Sequence, residues 1–543
     1  MKHIEGYNRS QIILFPERLD DLVLEDNPVR VIDIFIDQLN LANIGFNRAI
    51  LDSSSAGHPC YSVECLLKLY VYGYFKKVRS SRRLMELCNT NIEVMWLIGR
   101  LSPDFRTIAD FRATNAVAIK KVFTAFTRLC IELGLYGREV GVQDGSKFRA
   151  VNSKDNNVTR GRLEKKLEIA AKQIEKYLEE LDRNDREERD TPKYTKEEIA
   201  EKIKKLKLRK EEYNKLLTMM EKEGVTQISS IDPESRLMKM GNGGFDVCFN
   251  AQIIVDPESH LIGSFAVTNE CNDFGLLFPV AMKAKEELGI DVLEVPADKG
   301  YEDRADMLEC LENGIIPHVP SRSGEASYEF TLDYNEAEIT EELLNSKKPE
   351  DIRTCLRAGA LPNVYCGKGI EVSVDELDKS DENDPRSIFT LSADGSSVTC
   401  PNGSTLPKAA RLHKKGMTRF TSRSACRKCT DKCTTSSFKQ VDLRDGQTVL
   451  GEKKQRRVKK VKLRLTPDKA KLLSRKSVVE HPFGTVKRWQ DGSYLLVKGI
   501  KKASADMALS FLVYNLKRAI NMLGTQELVE KIRELRGNIF AFS

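Results

Sequence analysis

The chain is expected to be an α/β protein, a mixed sheet with helices on its faces, preceded by an all-α N-terminal domain. Three observations predict this. The first 137 residues place apolar side chains at helical spacing; two alternating runs at 247–255 and 261–267 then give way to strand and helix in turn; and apolar strand signals lead up to both Asp144 and Asp298. A length of 543 residues leaves room for three or four structural units.

Within 1–137, Ser62 is placed to cap a helix through Cys65, Leu66, Leu67, Leu69, Tyr70 and Tyr74. A short helix around Leu84 and Leu87 follows, then a long one over 108–133. The basic connection between the first two holds Lys76, Lys77, Arg79, Arg82 and Arg83. A tight polar turn between short helices suits a helix-turn-helix, whose cations would contact phosphates or base edges; the plainer alternative is a solvated loop in a helical bundle.

The core's first part, 138–322, is interrupted after its first strand. Between 161 and 223, Leu163, Leu167, Ala170, Ile174, Tyr177 and Leu181 alternate spacings of four and three, as do Ile199, Ile203 and Leu206 and then Tyr213, Leu217 and Met220. A charged stretch with Pro192 joins the runs, and T-K-E-E from Thr195 forms a capping box, so a coiled-coil hairpin insertion is expected. It would brace a partner or DNA, or simply project into solvent. After it come two strands joined at D-P-E-S-H, a helix over 274–288, the strand ending at Asp298, a helix over 304–313 and the short strand I-I-P-H-V.

Thirteen Cys without a disulfide framework fit a large intracellular chain of mostly reduced core thiols, with room for a Cys metal site. Nothing at the N-terminus resembles a signal peptide and no apolar run could span a bilayer, so a soluble, cytoplasmic and nucleoid-associated protein is expected. The polar, Cys-rich insertion at 323–449 contains Cys400, Cys426, Cys429 and Cys433, whose spacing suits a structural Zn2+ knuckle, with Cys366 able to replace one ligand; unliganded thiols are the alternative. Lys408, Arg411, Lys414 and Lys415 would let this module touch DNA.

The last part, 450–543, completes the core. Its opening stretch, 453–476, is dense in Lys and Arg with Asp468 the single acid, and Val461, Leu463 and Leu465 alternate within it. A strand presenting cations such as Lys459, Lys460 and Lys462 to a phosphate backbone is expected, then a helix from Thr466 and Pro467, bent or broken at Pro482. Helical spacing puts Lys476, Glu480 and Lys487 on one face, where the two cations would meet phosphate or simply remain surface charge. Trp489 is expected in the core, with stacking on an unpaired base as the alternative. His481 is expected to be structural.

Three stretches carry the chemistry: V-G-V-Q-D-G-S around Asp144, D-V-L-E-V-P-A-D-K-G-Y around Asp298 and S-V-V-E-H-P-F-G-T-V-K around Glu480. Asp144 and Asp298 are each read at a strand's exit. Carboxylates offer the hard oxygen ligands that Mg2+ or Mn2+ takes, and no Gly-rich phosphate loop argues for nucleotide hydrolysis. In this order, with R-L-M-K-M-G-N-G-G-F-D-V-C-F-N-A-Q between the first two, they resemble the DDE transposases of bacterial insertion sequences. The resemblance covers most of the chain and implies a ribonuclease H-like catalytic core with Asp144, Asp298 and Glu480 as metal ligands. It also implies double-stranded DNA, the element's ends and its target, as partner, a homodimer in the DNA-bound complex, and metal-dependent strand cleavage and transfer. Where the family carries Tyr and Arg ahead of the Glu, this chain has Leu473 and Lys476; Lys487 matches. A non-transposing metal nuclease and a catalytically silent DNA-binding regulator are the rival readings.

Overall fold

The computed structural model describes residues 18–46, 60–137, 139–186, 194–241, 243–379, 389–400, 403–409, 417–429, 436–444, 449–450 and 456–535. Pro192, Arg411, Lys414, Lys415, Cys433 and the start of the basic stretch lie outside them. No helix among the described residues is long and apolar enough to cross a membrane.

The N-terminal helices form much as their spacing predicts. Ser62 Oγ accepts from the Cys65 amide at 3.2 Å and opens helix α1, Val63–Phe75; α2 spans Ser81–Thr90. The expected long helix is two, α3 (Phe105–Thr114) and α4 (Ala116–Glu132). The break falls at Asn115, whose side-chain amide donates to the Phe111 carbonyl at 2.9 Å, a local bond that competes with a continuous helix.

The sheet begins with β1, Val142–Arg149, antiparallel to β2, Phe245–Val255, which pairs antiparallel with β3, Ile262–Thr268. The parallel pair β4, Leu293–Pro296, and β5, Ile315–His318, joins the other edge of β1. Val140 bridges Glu294 in parallel there, with Gly141 N–H to Glu294 O and Glu294 N–H to Glu139 O, each 2.9 Å. The order is therefore β3-β2-β1-β4-β5. Asp144 is not at a strand's exit: the ladder runs on to Arg149 opposite Cys248, because Phe148 continues the apolar alternation and is buried.

The hairpin insertion is present as α5, Arg160–Arg186, and α6, Lys196–Glu223, packed on each other. Thr195 and Glu198 make the reciprocal capping box, at 3.2 and 3.0 Å. Two helices cover the parallel pair, α7 (Leu277–Leu288) and α8 (Arg304–Glu312). The basic stretch becomes a central strand: among β6 (Tyr328–Asp333), β7 (Ile370–Lys379) and β8 (Arg456–Leu465), β8 pairs antiparallel with both others.

Helix α9, Lys469–Gly484, follows, capped by Asp468 rather than started at Thr466: Asp468 Oδ1 accepts from the Ala470 amide at 2.8 Å. Pro482 does not end it. The helix runs through and widens into a π turn, Thr485–Trp489. Pro482 cannot donate to the Val478 carbonyl four residues back, and His260 Nδ1 stands 3.4 Å from that oxygen in its place. The last long helix, α10 (Ile500–Leu523), is buried almost all round and packs on α4, α1 and β3. One hydrophobic core therefore unites the N-terminal helices, the sheet and this helix.

Candidate active site

Adjacent parallel strands bring Asp144 and Asp298 together. Asp298, two residues past β4, accepts from the Gly300 amide at 2.7 Å and so opens a single 3-10 turn. Burial pushes the Asp144 carboxyl up to about 6, and the nearby charges of Asp298 and Asp273 add to the rise, against the pull of Arg475. The guanidinium of Arg475 is 3.7 Å from Asp144 Oδ1 and only 18% exposed.

Asp273 was missed from sequence, since it follows β3 in an irregular stretch with no pattern around it. Its Oδ1 accepts from Asn250 Nδ2 at 2.9 Å and Gln252 Nε2 at 2.7 Å, and Lys147 Nζ is 3.8 Å away. Tyr301, from D-K-G-Y, donates to Gln252 Oε1, so the turn after Asp298 is tied to the same network. The crowding explains the Gly of D-G-S. A Cβ on Gly145 would stand 2.2 Å from Gln252 Nε2 and 2.7 Å from Asp273 Oδ1.

Glu480 is placed differently from the expectation. Its helix packs on β1, but its side chain is 67% exposed and stands 3.7 Å from Lys476 Nζ. No three acidic, His or Cys side chains among the described residues come together as a metal group. Lys476 is likewise exposed, and Arg475, one residue earlier, is the cation that reaches Asp144. Lys487 does face the site: its Nζ donates to Ser146 Oγ at 2.6 Å and lies 4.7 Å from the Phe148 ring, and burial lowers its ammonium pKa. His481 has a structural place, its Nδ1 2.8 Å from the Tyr514 hydroxyl.

Buried Glu294 anchors this helix to the sheet. His318 Nε2 is 2.9 Å from it, Lys368 and Lys471 pair with it, and together they hold its carboxyl well below the usual range although burial opposes the charge. The strand that leads to Asp298 and the helix that carries Arg475 are thereby joined through one carboxylate.

The raised Asp144 pKa has a consequence for stability. The folded state keeps its proton to higher pH than the unfolded chain, so without divalent ions stability falls as pH rises from 3.8 to about 6. Asp144→Asn should therefore raise the unfolding free energy measured with urea at pH 7.5 in EDTA by on the order of 2 kcal/mol, and leave it unchanged at pH 3.5.

The DNA-contact candidates divide. Arg79 is a correction: only 6% exposed, it pairs with Asp506 at 2.6 Å and donates to the Asp491 and Tyr494 carbonyls, because the turn packs against the C-terminal helices. Lys76 pairs with Glu93 at 2.9 Å, and Lys77, Arg82 and Arg83 are exposed. In the basic strand the expected cation-presenting face is balanced within its own sheet. Lys460 pairs with Asp333, Lys462 with Asp375 at 2.6 Å, and Lys459 lies 5.3 Å from the Tyr334 ring.

Cys400, Cys426 and Cys429 line one small cavity with Ser404 and Lys439. Backbone amides already point at two sulfurs: Ser404 N–H at 3.3 Å from Cys400 Sγ and Lys439 N–H at 3.4 Å from Cys426 Sγ. Cys366 is exposed and bonds locally to Pro362 and Asn363.

Comparison with known proteins finds two families that match parts of the chain. Residues 17–114 match a family described as a transposase domain (DUF772), and residues 399–520 match the transposase DDE domain. The two matches mark the chain as carrying the domains of a DDE transposase. The second spans Arg475, Glu480 and Lys487 but stops short of both Asp144 and Asp298. No curated protein matches the chain. Among solved structures, the piggyBac transposase synaptic complex with hairpin DNA is 10% identical, with 95% of this chain and 80% of that one covered, at a TM-score of 0.28, a superposition too loose to bear on the fold.

Proposed function

We propose that this chain is the transposase of a bacterial insertion-sequence type of element. In this reading it binds the element's terminal inverted repeats as double-stranded DNA, cuts a strand to free a 3′-hydroxyl and joins that hydroxyl to target DNA, working as a homodimer. The observation that carries the reading is the pairing of Asp144, within the central strand β1, with Asp298, just past the neighbouring β4, beneath a helix that supplies Arg475. The order β3-β2-β1-β4-β5, antiparallel on one side and parallel on the other, supports a ribonuclease H-like core.

The donor set fits Mg2+ or Mn2+. Magnesium is commonly held by one or two carboxylates, with water and phosphate oxygens filling its shell, and the charge crowded at Asp144 is what a divalent cation relieves. Asp144 and Asp298 would hold it, with Glu480 proposed as a further ligand on its motif. When bound, such ions activate the attacking oxygen and stabilise the leaving one. The chain's own cations do the rest. Arg475 and Lys487 lie on the helix side of β1, where they can take the non-bridging oxygens of the scissile phosphate and fix its orientation.

Purified protein with Mg2+ and labelled duplexes bearing the element's ends should nick at the element boundary, leave a 3′-hydroxyl and join it to a plasmid. Cutting without joining would favour a non-transposing nuclease. Binding without cutting would favour a regulator.

We also propose structural zinc at Cys400, Cys426, Cys429 and Cys433. Among the described residues the surrounding module buries six apolar side chains, a core small enough to suit a metal staple, and backbone amides aimed at two of the sulfurs surround them as in a metal knuckle. Elemental analysis of protein purified without chelator should give close to one zinc per chain, reduced in Cys429→Ser. A metal-free preparation with this module intact would rule the site out.

A further inference from the structure

Among the large apolar side chains left in water are Trp489, expected in the core, and two leucines of the hairpin insertion, Leu178 and Leu208, 46% and 52% exposed. The two leucines belong to one flank of the hairpin. Between α5 and α6 on that side runs a groove lined by Leu181, Ala200, Ile203, Lys204, Lys207 and Leu208, with Glu211 at the end nearer the sheet. Leu178 comes three residues before Leu181, so helical spacing turns it toward the same side, and Glu175 and Asp182, three before and four after Leu178, share its face. The hairpin's own packing does not cover this flank, because two helices bury only the stripe where they meet. That stripe holds Ala170, Ile199, Ile203 and Leu206, and a separate small core of Val158, Leu163, Leu216, Met220 and Ile228 closes the base.

The charges on this flank are sorted. Near the base they are neutralised within the chain: Arg160 pairs with Glu164 and Glu221 at 3.0 and 2.8 Å, and Lys172 with Glu168 at 2.7 Å. Toward the tip, Glu175 and Asp182 on α5 and Lys204 and Lys207 on α6 are all exposed and, among the described residues, take part in no ion pair. One edge of the tip half is thus acidic and the other basic. The helices run antiparallel, and Leu181 lining the groove beside Ile203 sets their level: Glu175 lies level with Lys207, and Asp182 within a turn of Lys204.

We infer that this flank docks a second copy of the chain, hairpin against hairpin with both tips pointing the same way, closing a four-helix bundle about a two-fold axis along the hairpins. In that arrangement α5 of each copy lies across from α6 of the other. Glu175 and Asp182 then meet Lys207 and Lys204 twice over, and Leu178 of each copy enters the other's groove. The reverse arrangement, with the tips pointing apart, would set α5 against α5 and acid against acid. Helices of 27 and 28 residues are about 40 Å long and two side by side about 20 Å wide, so the flank offers about 800 Å² per copy, what a standard stable interface buries. The pairing gives the homodimer of the proposed function its surface and rests on that reading.

Sedimentation equilibrium of the full-length chain at micromolar concentration, without DNA, should give twice the chain mass. Glu175→Lys with Asp182→Lys, and separately Lys204→Glu with Lys207→Glu, should each weaken self-association on the order of 100-fold, since attractive pairs become repulsive on both sides of the axis. An equimolar mixture of the two double variants should regain the parent's affinity as a mixed dimer, because facing edges are again opposite in sign. Helical circular dichroism and a melting temperature matching the parent's verify that both are folded. A monomeric parent chain, a dimer that either double variant leaves intact, or a mixture that stays monomeric overturns the docking surface. Lost DNA affinity in the Lys204→Glu, Lys207→Glu chain with its mass unchanged gives the flank to DNA instead. None of the mass measurements needs DNA, so their failure leaves the transposase reading standing, whereas a chain that pairs as expected but neither binds nor cuts element ends overturns that reading alone.

Discussion

Asp144→Asn and Asp298→Asn should each lower strand cleavage by about 10³-fold or more while DNA affinity stays within about threefold. Each exchange keeps the side chain's size and removes one charged oxygen donor from a site in which the two acids work as a unit. The double variant should therefore be no slower than the worse single one. The structure adds a comparison that the motif alone does not offer. Asp273, tied to Asn250, Gln252 and Lys147, is a positioning residue, whereas Glu480 is exposed beside the site. If Glu480 is a ligand, Glu480→Gln should match the two Asp variants in cleavage rate and leave the melting temperature unchanged, and Asp273→Asn should cost cleavage and stability together. Gel assays on pre-nicked and intact ends, run beside thermal melts, separate these outcomes.

The largest effect on stability should come far from the carboxylates. Asp506 is fully buried and takes Arg79 at 2.6 Å, Arg112 at 3.3 Å and the Tyr74 hydroxyl. Asp506→Ala would leave two guanidinium groups in the interior without their counter-ion, and removing one partner of a buried pair costs about 3–5 kcal/mol. Arg79→Ala should cost a similar amount and should also release the loop that carries Trp489 and Tyr494. Urea denaturation gives the shift in midpoint, with the slope unchanged if the transition stays two-state. Lys462→Ala, by contrast, should leave the midpoint where it is, since its partner Asp375 remains solvated.

These contrasts show which parts of the chain are legible in sequence. The strands around Asp144 and ahead of Asp298 are legible from the apolar residues before them, although β1 runs five residues past Asp144 because Phe148 continues its apolar face. The hairpin at 161–223 is legible for the same reason, reinforced by the Thr195 capping box. The outward placement of Glu480 is not, because it depends on how the helix is rotated against β1: Val478, Val479 and Phe483 turn inward and Arg475 is the charged side chain that reaches Asp144. Nor is the burial of Arg79, which is decided by Asp506, more than four hundred residues away. The basic strand was read correctly as a strand, but its acids lie on β6 and β7, so its charge balance appears only once the register is known. Asp273 has no neighbouring pattern at all and emerges only from the convergence of β1, β2 and the turn after β4.

The claim that Asp298 is a metal ligand is tested most directly by exchanging its oxygen for sulfur. Mg2+ binds thiolate poorly and Mn2+ tolerates it better. Cleavage of an element-end duplex by Asp298→Cys should therefore be lost in Mg2+ and recovered in part in Mn2+, with the parent chain active in both. Undiminished cleavage by Asp298→Cys in Mg2+ would contradict the account.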